Sequence, residues 1–112
     1  MRTSNAAAIK ERASVFAALG DVTRLSVLTK LMSGEPQSIS RLTAGTRLSR
    51  QAVTKHLRVL EEVGVVRGER SGREALFKLD PRPIDDARRY LETVSKQWDG
   101  ALERLRSLVE SE

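Results

Sequence analysis

Apolar residues recur at helical spacing through most of the chain and give way to a strand-like ribbon past its middle. Ala6 to Leu19 is rich in alanine and sets Ile9, Ala13 and Phe16 on one helical face, with Gly20 ending the helix. Asp21 is placed to cap a second helix over 22–33, whose apolar residues are Val22, Leu25, Leu28, Leu31 and Met32. Gly34 and Pro36 stop it. Ser38 or Ser40 caps a short third helix reaching about Gly45, and Ser49 caps a fourth that Gly64 closes. Residues 65–70 and 73–79 then pair as a hairpin across a two-residue Ser71-Gly72 turn. Asp80-Pro81-Arg82-Pro83 makes a stiff break before a final helix from Ile84 to about Glu110.

Short helix, tight turn, capped helix and basic ribbon, in that order, is the layout of a winged helix-turn-helix that reads duplex DNA in the major groove. The expected fold is mainly α with a small β-hairpin: five helices plus a two-stranded wing, dimerising through the terminal helices. The chain reads as one domain over 1–112, with the helix-turn-helix at 38–63, the wing at 65–79 and a C-terminal dimerisation helix at 84–110.

The fourth helix carries the chemistry. Val53, Leu57 and Leu60 share one face and must bury, while Gln51, Thr54, Lys55 and Arg58 fall on the opposite face with no apolar residue among them. Gln pairs with adenine, Lys or Arg with guanine, and the Thr methyl with a thymine methyl. Ser49 and Arg50 sit at the start of this helix, where exposed amides favour a phosphate. His56 lies at the edge of the apolar stripe; with no Cys and no second His to converge on it, it reads as a packing residue that also donates to a phosphate. In the wing, Arg67, Arg70, Ser71, Arg73 and Lys78 surround a flexible tip that reaches the DNA backbone or minor groove. Glu69 and Glu74 partly neutralise it.

Charge agrees with this placement. Of a net +5, residues 41–82 hold ten Lys/Arg against five Asp/Glu, whereas residues 83–112 hold five against seven. A polyanion partner is therefore expected for the middle only. The absence of Cys excludes disulfides and thiolate metal sites, and no apolar run approaches membrane-spanning length, so a cytoplasmic location without cofactor is expected.

Ile84, Ala87, Leu91, Val94, Trp98, Ala101, Leu105 and Leu108 alternate at spacings of three and four, the a/d pattern of a helix seam. Leu102 and Val109 widen it. Ile9 and Phe16 on the first helix approach the same seam, so these residues together are the expected dimer interface.

The chain resembles the ArsR (arsenic-repressor) family of winged-helix transcription regulators. The stretches that carry the resemblance are Ala18-Leu-Gly-Asp-Val-Thr-Arg-Leu-Ser-Val-Leu, the run from Leu48 through Lys55-His56-Leu57 to Val66, and the Arg70-Ser-Gly-Arg wing. They span nearly the whole chain. Val22 departs from the family's usual Pro. Thiol sensors of the family carry a Cys-x-Cys pair where this chain has Ser38 and Ser40, and others use His and carboxylates on a last helix that here has no His. The tail from Gln97 and Trp98 is similar to a branch without metal ligands. The resemblance implies a homodimeric repressor that blocks promoters.

Two other readings compete with a DNA-binding dimer. A metal-responsive repressor would have to use Asp85, Asp86, Glu92 or Glu103 across the dimer, a set suited to hard or weakly held ions. A coiled-coil adaptor binding protein through its winged helix would need apolar residues on the exposed face of the fourth helix, and there are none. No paired carboxylates, activated nucleophile or phosphate-cradling loop points to an enzyme.

Overall fold

The computed structural model describes residues 2–111, one residue short of the expected domain at each end. The elements run α1 (Arg2–Leu19), α2 (Val22–Leu31), β1 (Gln37–Ser38), α3 (Ile39–Thr43), α4 (Arg50–Glu62), β2 (Val66–Ser71), β3 (Glu74–Leu79) and α5 (Arg82–Glu110). Three helix starts follow from side chains that accept an otherwise orphaned amide. Asp21 takes the Arg24 N–H at 2.9 Å, Ser38 that of Arg41 at 3.1 Å, and Ser49 that of Ala52 at 3.1 Å. Basic side chains tie the helix ends together: Arg24 donates to the Ala18 carbonyl at 2.7 Å, and the Lys30 ammonium to the Leu42 carbonyl at 3.0 Å. The second of these fixes α3 against the end of α2, and so sets the angle at which the chain enters α4.

Val53, Leu57 and Leu60 of α4 are fully buried, as the apolar face requires, against Leu31 of α2, Leu42 of α3 and Val65 and Val66 at the base of the wing. Two expected faces are rotated. In α2 the buried residues are Val27, Leu28 and Leu31, while Val22 is 87% exposed and Leu25 and Met32 face solvent. In α1 Val15 and Ala18 are buried, Phe16 and Leu19 half-buried, and Ile9 and Ala13 exposed.

The wing departs from expectation in two ways. It is a three-stranded antiparallel sheet ordered β1-β3-β2, because Gln37 and Ser38 pair with Phe77 and Leu76. Its turn also lies one residue later than the spacing suggested, since Ser71 pairs with Glu74 and leaves Gly72-Arg73 as the loop. Gly72 has φ +62°, and among the described residues no non-glycine has a positive φ, which fits a type II′ turn with glycine first.

α5 begins at Arg82 and not at Ile84. Pro81 is its N-cap and Pro83 falls in the first turn, where a missing N–H costs nothing. Asp80 organises this start. Its carboxylate, only 7% exposed, accepts from the Arg82 backbone at 3.1 Å and from the Arg82 guanidinium at 2.7 Å, and Arg67 of β2 lies 3.3 Å away. The Arg82 guanidinium and backbone hydrogen bonds hold the Asp80 carboxyl down to about 2. A carboxyl depressed in the folded state adds stability above its ordinary value of 3.8, and that stability is lost as pH falls toward 2. Asp80→Asn is therefore expected to lower the melting temperature near neutral pH. The gap to wild type should close as acid protonates Asp80. Thermal melts across that range check it; a gap independent of pH would show that the ion pairs do not stabilise the junction.

α1 and α5 lie side by side and run in the same direction. Arg12 meets Asp86 at 3.1 Å, and one turn further on Phe16 meets Tyr90 with ring centroids 6.3 Å apart. The Arg12 guanidinium also sits 5.1 Å over the Tyr90 ring. α1 ends beside the Leu91–Ser95 turn, and α5 continues alone for about 22 Å, taking 1.5 Å per residue. The molecule is consequently 69 Å long.

Candidate nucleic-acid interface

The polar face of α4 is one continuous surface. Arg50, Gln51, Thr54, Lys55 and Arg58 line a shallow open depression. The Thr54 hydroxyl donates back to the Arg50 carbonyl at 2.7 Å, which leaves its methyl as the free end of the side chain. Gln51, Lys55 and Arg58 are exposed and carry unlike donors and acceptors, the mixture that distinguishes base edges. Lys55 and Arg58 have no carboxylate within 4.0 Å among the described residues.

A second groove adjoins the first. Arg50 forms part of both; the wing arginines Arg70 and Arg73 and the hydroxyl-bearing Ser38 and Ser40 of the β1–α3 corner complete the second, with Glu74 on its wall. Sequence spacing brought Arg70 and Arg73 to the wing but gave no sign of Ser38 and Ser40, which enter because β1 joins the wing sheet.

The other expected DNA contacts, Ser49, His56, Arg67 and Ser71, lie outside these two grooves. Arg67 lies at the base of the wing opposite Lys78, and its charge is held by Asp80. The Ser49 oxygen accepts from the Ala52 amide and so caps α4. His56 is half-buried near the start of α2, and its charge adds to the Arg24 amide and guanidinium in holding the Asp21 carboxyl below its ordinary value. Ser71 is exposed at the end of β2, next to the turn.

On α5 the seam divides. Ala87 is buried and Ile84 half-buried against the chain's own core; Val94 and Ala101 are half-buried; Leu91, Trp98, Leu105 and Leu108 are exposed, Trp98 by 64%. An apolar groove lies beside the seam, walled by Phe16, Leu19, Ile84, Ala87 and Leu91, and neither Tyr90 nor Trp98 lines it. Asp85, Asp86 and Glu92 of α5 are engaged by arginine. Asp85 meets Arg88 at 2.8 Å and Arg89 at 2.7 Å, Glu92 meets Arg88 at 2.6 Å, and Asp86 meets Arg12. The Arg88 hydrogen bond, with Arg89 beside it, lowers the pKa of Asp85. Among the described residues no three His, Asp or Glu side chains are grouped to hold a metal ion, and no helix is long and apolar enough to cross a membrane.

Comparison with known proteins gives the same answer as the geometry. A family described as a helix-turn-helix domain matches residues 10–69. An ArsR-like transcriptional regulator from Rhodococcus sp. RHA1 superposes with a TM-score of 0.80 at 37% identity, over 91% of this chain and 95% of that one. The HTH-type transcriptional regulator Rv2034 of Mycobacterium tuberculosis is 32% identical over 85% of each chain. The uncharacterized HTH-type transcriptional regulator YuzN of Bacillus subtilis is 32% identical over 63% of this chain and 84% of its own. The chain belongs to the ArsR-like winged helix-turn-helix transcriptional regulators, a class without enzymatic activity.

Proposed function

We propose that the chain is a cytoplasmic, homodimeric repressor that occupies an imperfectly palindromic operator. α4 lies in the major groove, with Gln51, Thr54, Lys55 and Arg58 at base edges and Arg50, Arg70 and Arg73 on the backbone. The observation that carries this reading is the unbroken polar face of α4, opposite a fully buried Val53-Leu57-Leu60 stripe and flanked by wing arginines. A rigid helix with one face locked in the core and the other free and chemically mixed is what direct readout needs. The exposed half of the α5 seam supports pairing with a second copy. In a dimer the two α4 helices would stand about 34 Å apart, one duplex turn.

The test is selection of bound duplexes from a randomised pool by the purified chain, with transcription measured from a promoter carrying the selected sequence. The expected result is a two-fold motif whose promoter falls silent when the chain is supplied. Recovery of no motif would overturn the reading.

Transition metals are expected to leave the switch untouched. The acidic side chains nearest to forming a site on α5 are already held by Arg12, Arg88 and Arg89, and an incoming ion would have to displace those guanidinium groups. Operator affinity should be unchanged by low-micromolar zinc, and the purified chain should carry no stoichiometric metal by elemental analysis. A tightly held ion that releases the operator would restore the carboxylate-sensor reading.

A further inference from the structure

We propose that the groove between α3, the start of α4 and the wing tip seats one backbone phosphate of duplex DNA, and that Ser40 is the positioning residue that turns Arg50 toward it. The inference rests on the DNA-binding reading above and goes beyond it by giving Arg50 a partner and a side.

Arg50 stands between two concave surfaces, the base-reading depression of α4 and the groove under the wing. From the first turn of α4 a flexible arginine could serve either one. Its Nη1 donates to the Ser40 hydroxyl at 2.6 Å, a charge-assisted bond that draws the guanidinium to the groove side. The bond also orients the hydroxyl. With a lone pair of Oγ occupied by Arg50, the Ser40 O–H remains to donate, and the groove then presents guanidinium and hydroxyl donors together, which is the complement of a phosphate oxygen. Ser38, two residues earlier, lines the same groove, but its oxygen accepts from the Arg41 amide and makes no bond to Arg50.

The charge around the groove selects an anion. Arg12, Arg67, Arg82, Arg88, Arg89 and Arg106 are each paired with a carboxylate. Arg50, Arg70 and Arg73 are among the arginines that are not, within the described residues, and they alone of these line this groove, which Glu74 shares. Three arginines from two elements therefore meet at one place with their charge unspent. A base edge is a poor occupant, because the groove lies under the wing and not along the exposed length of α4.

Full-length chain is titrated with its selected operator and with a scrambled duplex at several salt concentrations. Arg50→Ala is expected to weaken both duplexes by the same factor, roughly tenfold, and to reduce the slope of log affinity against log salt by about 0.9, the signature of one lost phosphate contact. Ser40→Ala should move both quantities the same way by a smaller amount, and Ser40→Thr, which keeps the hydroxyl, should restore them. Replacing single phosphates by uncharged methylphosphonates should reveal one position per half-site that matters to wild type and not to Arg50→Ala. Inorganic phosphate at matched ionic strength should not compete; if it displaced DNA where chloride did not, the groove would be a free-oxyanion site and the proposal would fall. If Arg50→Ala changes operator preference and leaves scrambled DNA alone, Arg50 reads a base and the seat is wrong. If Ser40→Ala matches wild type in both affinity and slope, Ser40 positions nothing. A wild type that binds no duplex at all would instead sink the DNA reading itself.

Discussion

Trp98→Glu is expected to yield a monomer that no longer holds its operator. Trp98 sits on the part of α5 that has passed the end of α1, and it is exposed together with Leu102, Leu105, Leu108 and Val109. Contiguous exposed apolar residues of this size mark an interaction surface more often than a solvated face. Pairing with a second copy would cover them. A carboxylate placed in such an interface loses its water without gaining a partner, at a cost of about 3–5 kcal/mol, or more than a hundredfold in dimer affinity. Leu91→Glu should act in the same way. Lys96→Glu, on the opposite side of α5 from Val94 and Trp98, should leave the dimer intact. Light scattering at micromolar concentration reads the mass directly, and a wild-type monomer under those conditions would refute the seam. Operator binding should fall with the dimer, because a single α4 reaches only one half-site.

Gln51→Ala and Lys55→Ala are expected to lower operator affinity by about 1–3 kcal/mol each and to relax base preference at the position each one reads. Both side chains are exposed on the rim of the α4 depression, clear of the buried stripe, so their loss should leave the melting temperature close to that of wild type. Arg70→Ala and Arg73→Ala should behave differently. They sit at the wing tip, and their loss should weaken every sequence alike and flatten the salt dependence. Titration of operator and scrambled duplex separates the two classes. Operator preference unchanged by the Gln51 and Lys55 substitutions would mean that the reading face has been assigned to the wrong side of α4.

The sequence was most legible where one interaction dominates locally. Asp21, Ser38 and Ser49 declare their helices because a capping oxygen acts within three residues, and the α4 stripe is unambiguous because its two faces differ so sharply in polarity. In α1 the many alanines blur the contrast between faces, and the stripe that buries, Val15 and Ala18, lies beside the one expected from Ile9, Ala13 and Phe16. Val22 and Met32 mark the ends of α2, where an apolar residue has no neighbour to pack against, so periodicity counts them and the core does not. β1 is two residues long, too short to show any alternation, and it exists only because β3 offers it an edge. That missing strand hid the groove at Ser40. Charge and place in the wing make Arg67 an expected DNA contact, and nothing in the spacing discloses its tie to Asp80, which depends on two residues thirteen apart being folded to the same corner.

The overhang of α5 makes occupancy of an operator a question of gene dosage. A chain that must find its copy before both readers can engage is governed by mass action twice. While its concentration lies below the dimer dissociation constant, the paired form rises as the square of the total, so halving the supply removes about three quarters of the competent species. A monomeric binder of equal affinity would lose only half. Growth and division would then lift repression more steeply than dilution alone accounts for, with no small molecule bound, and the length and apolar character of residues 98–109 would set the chain concentration at which that release begins.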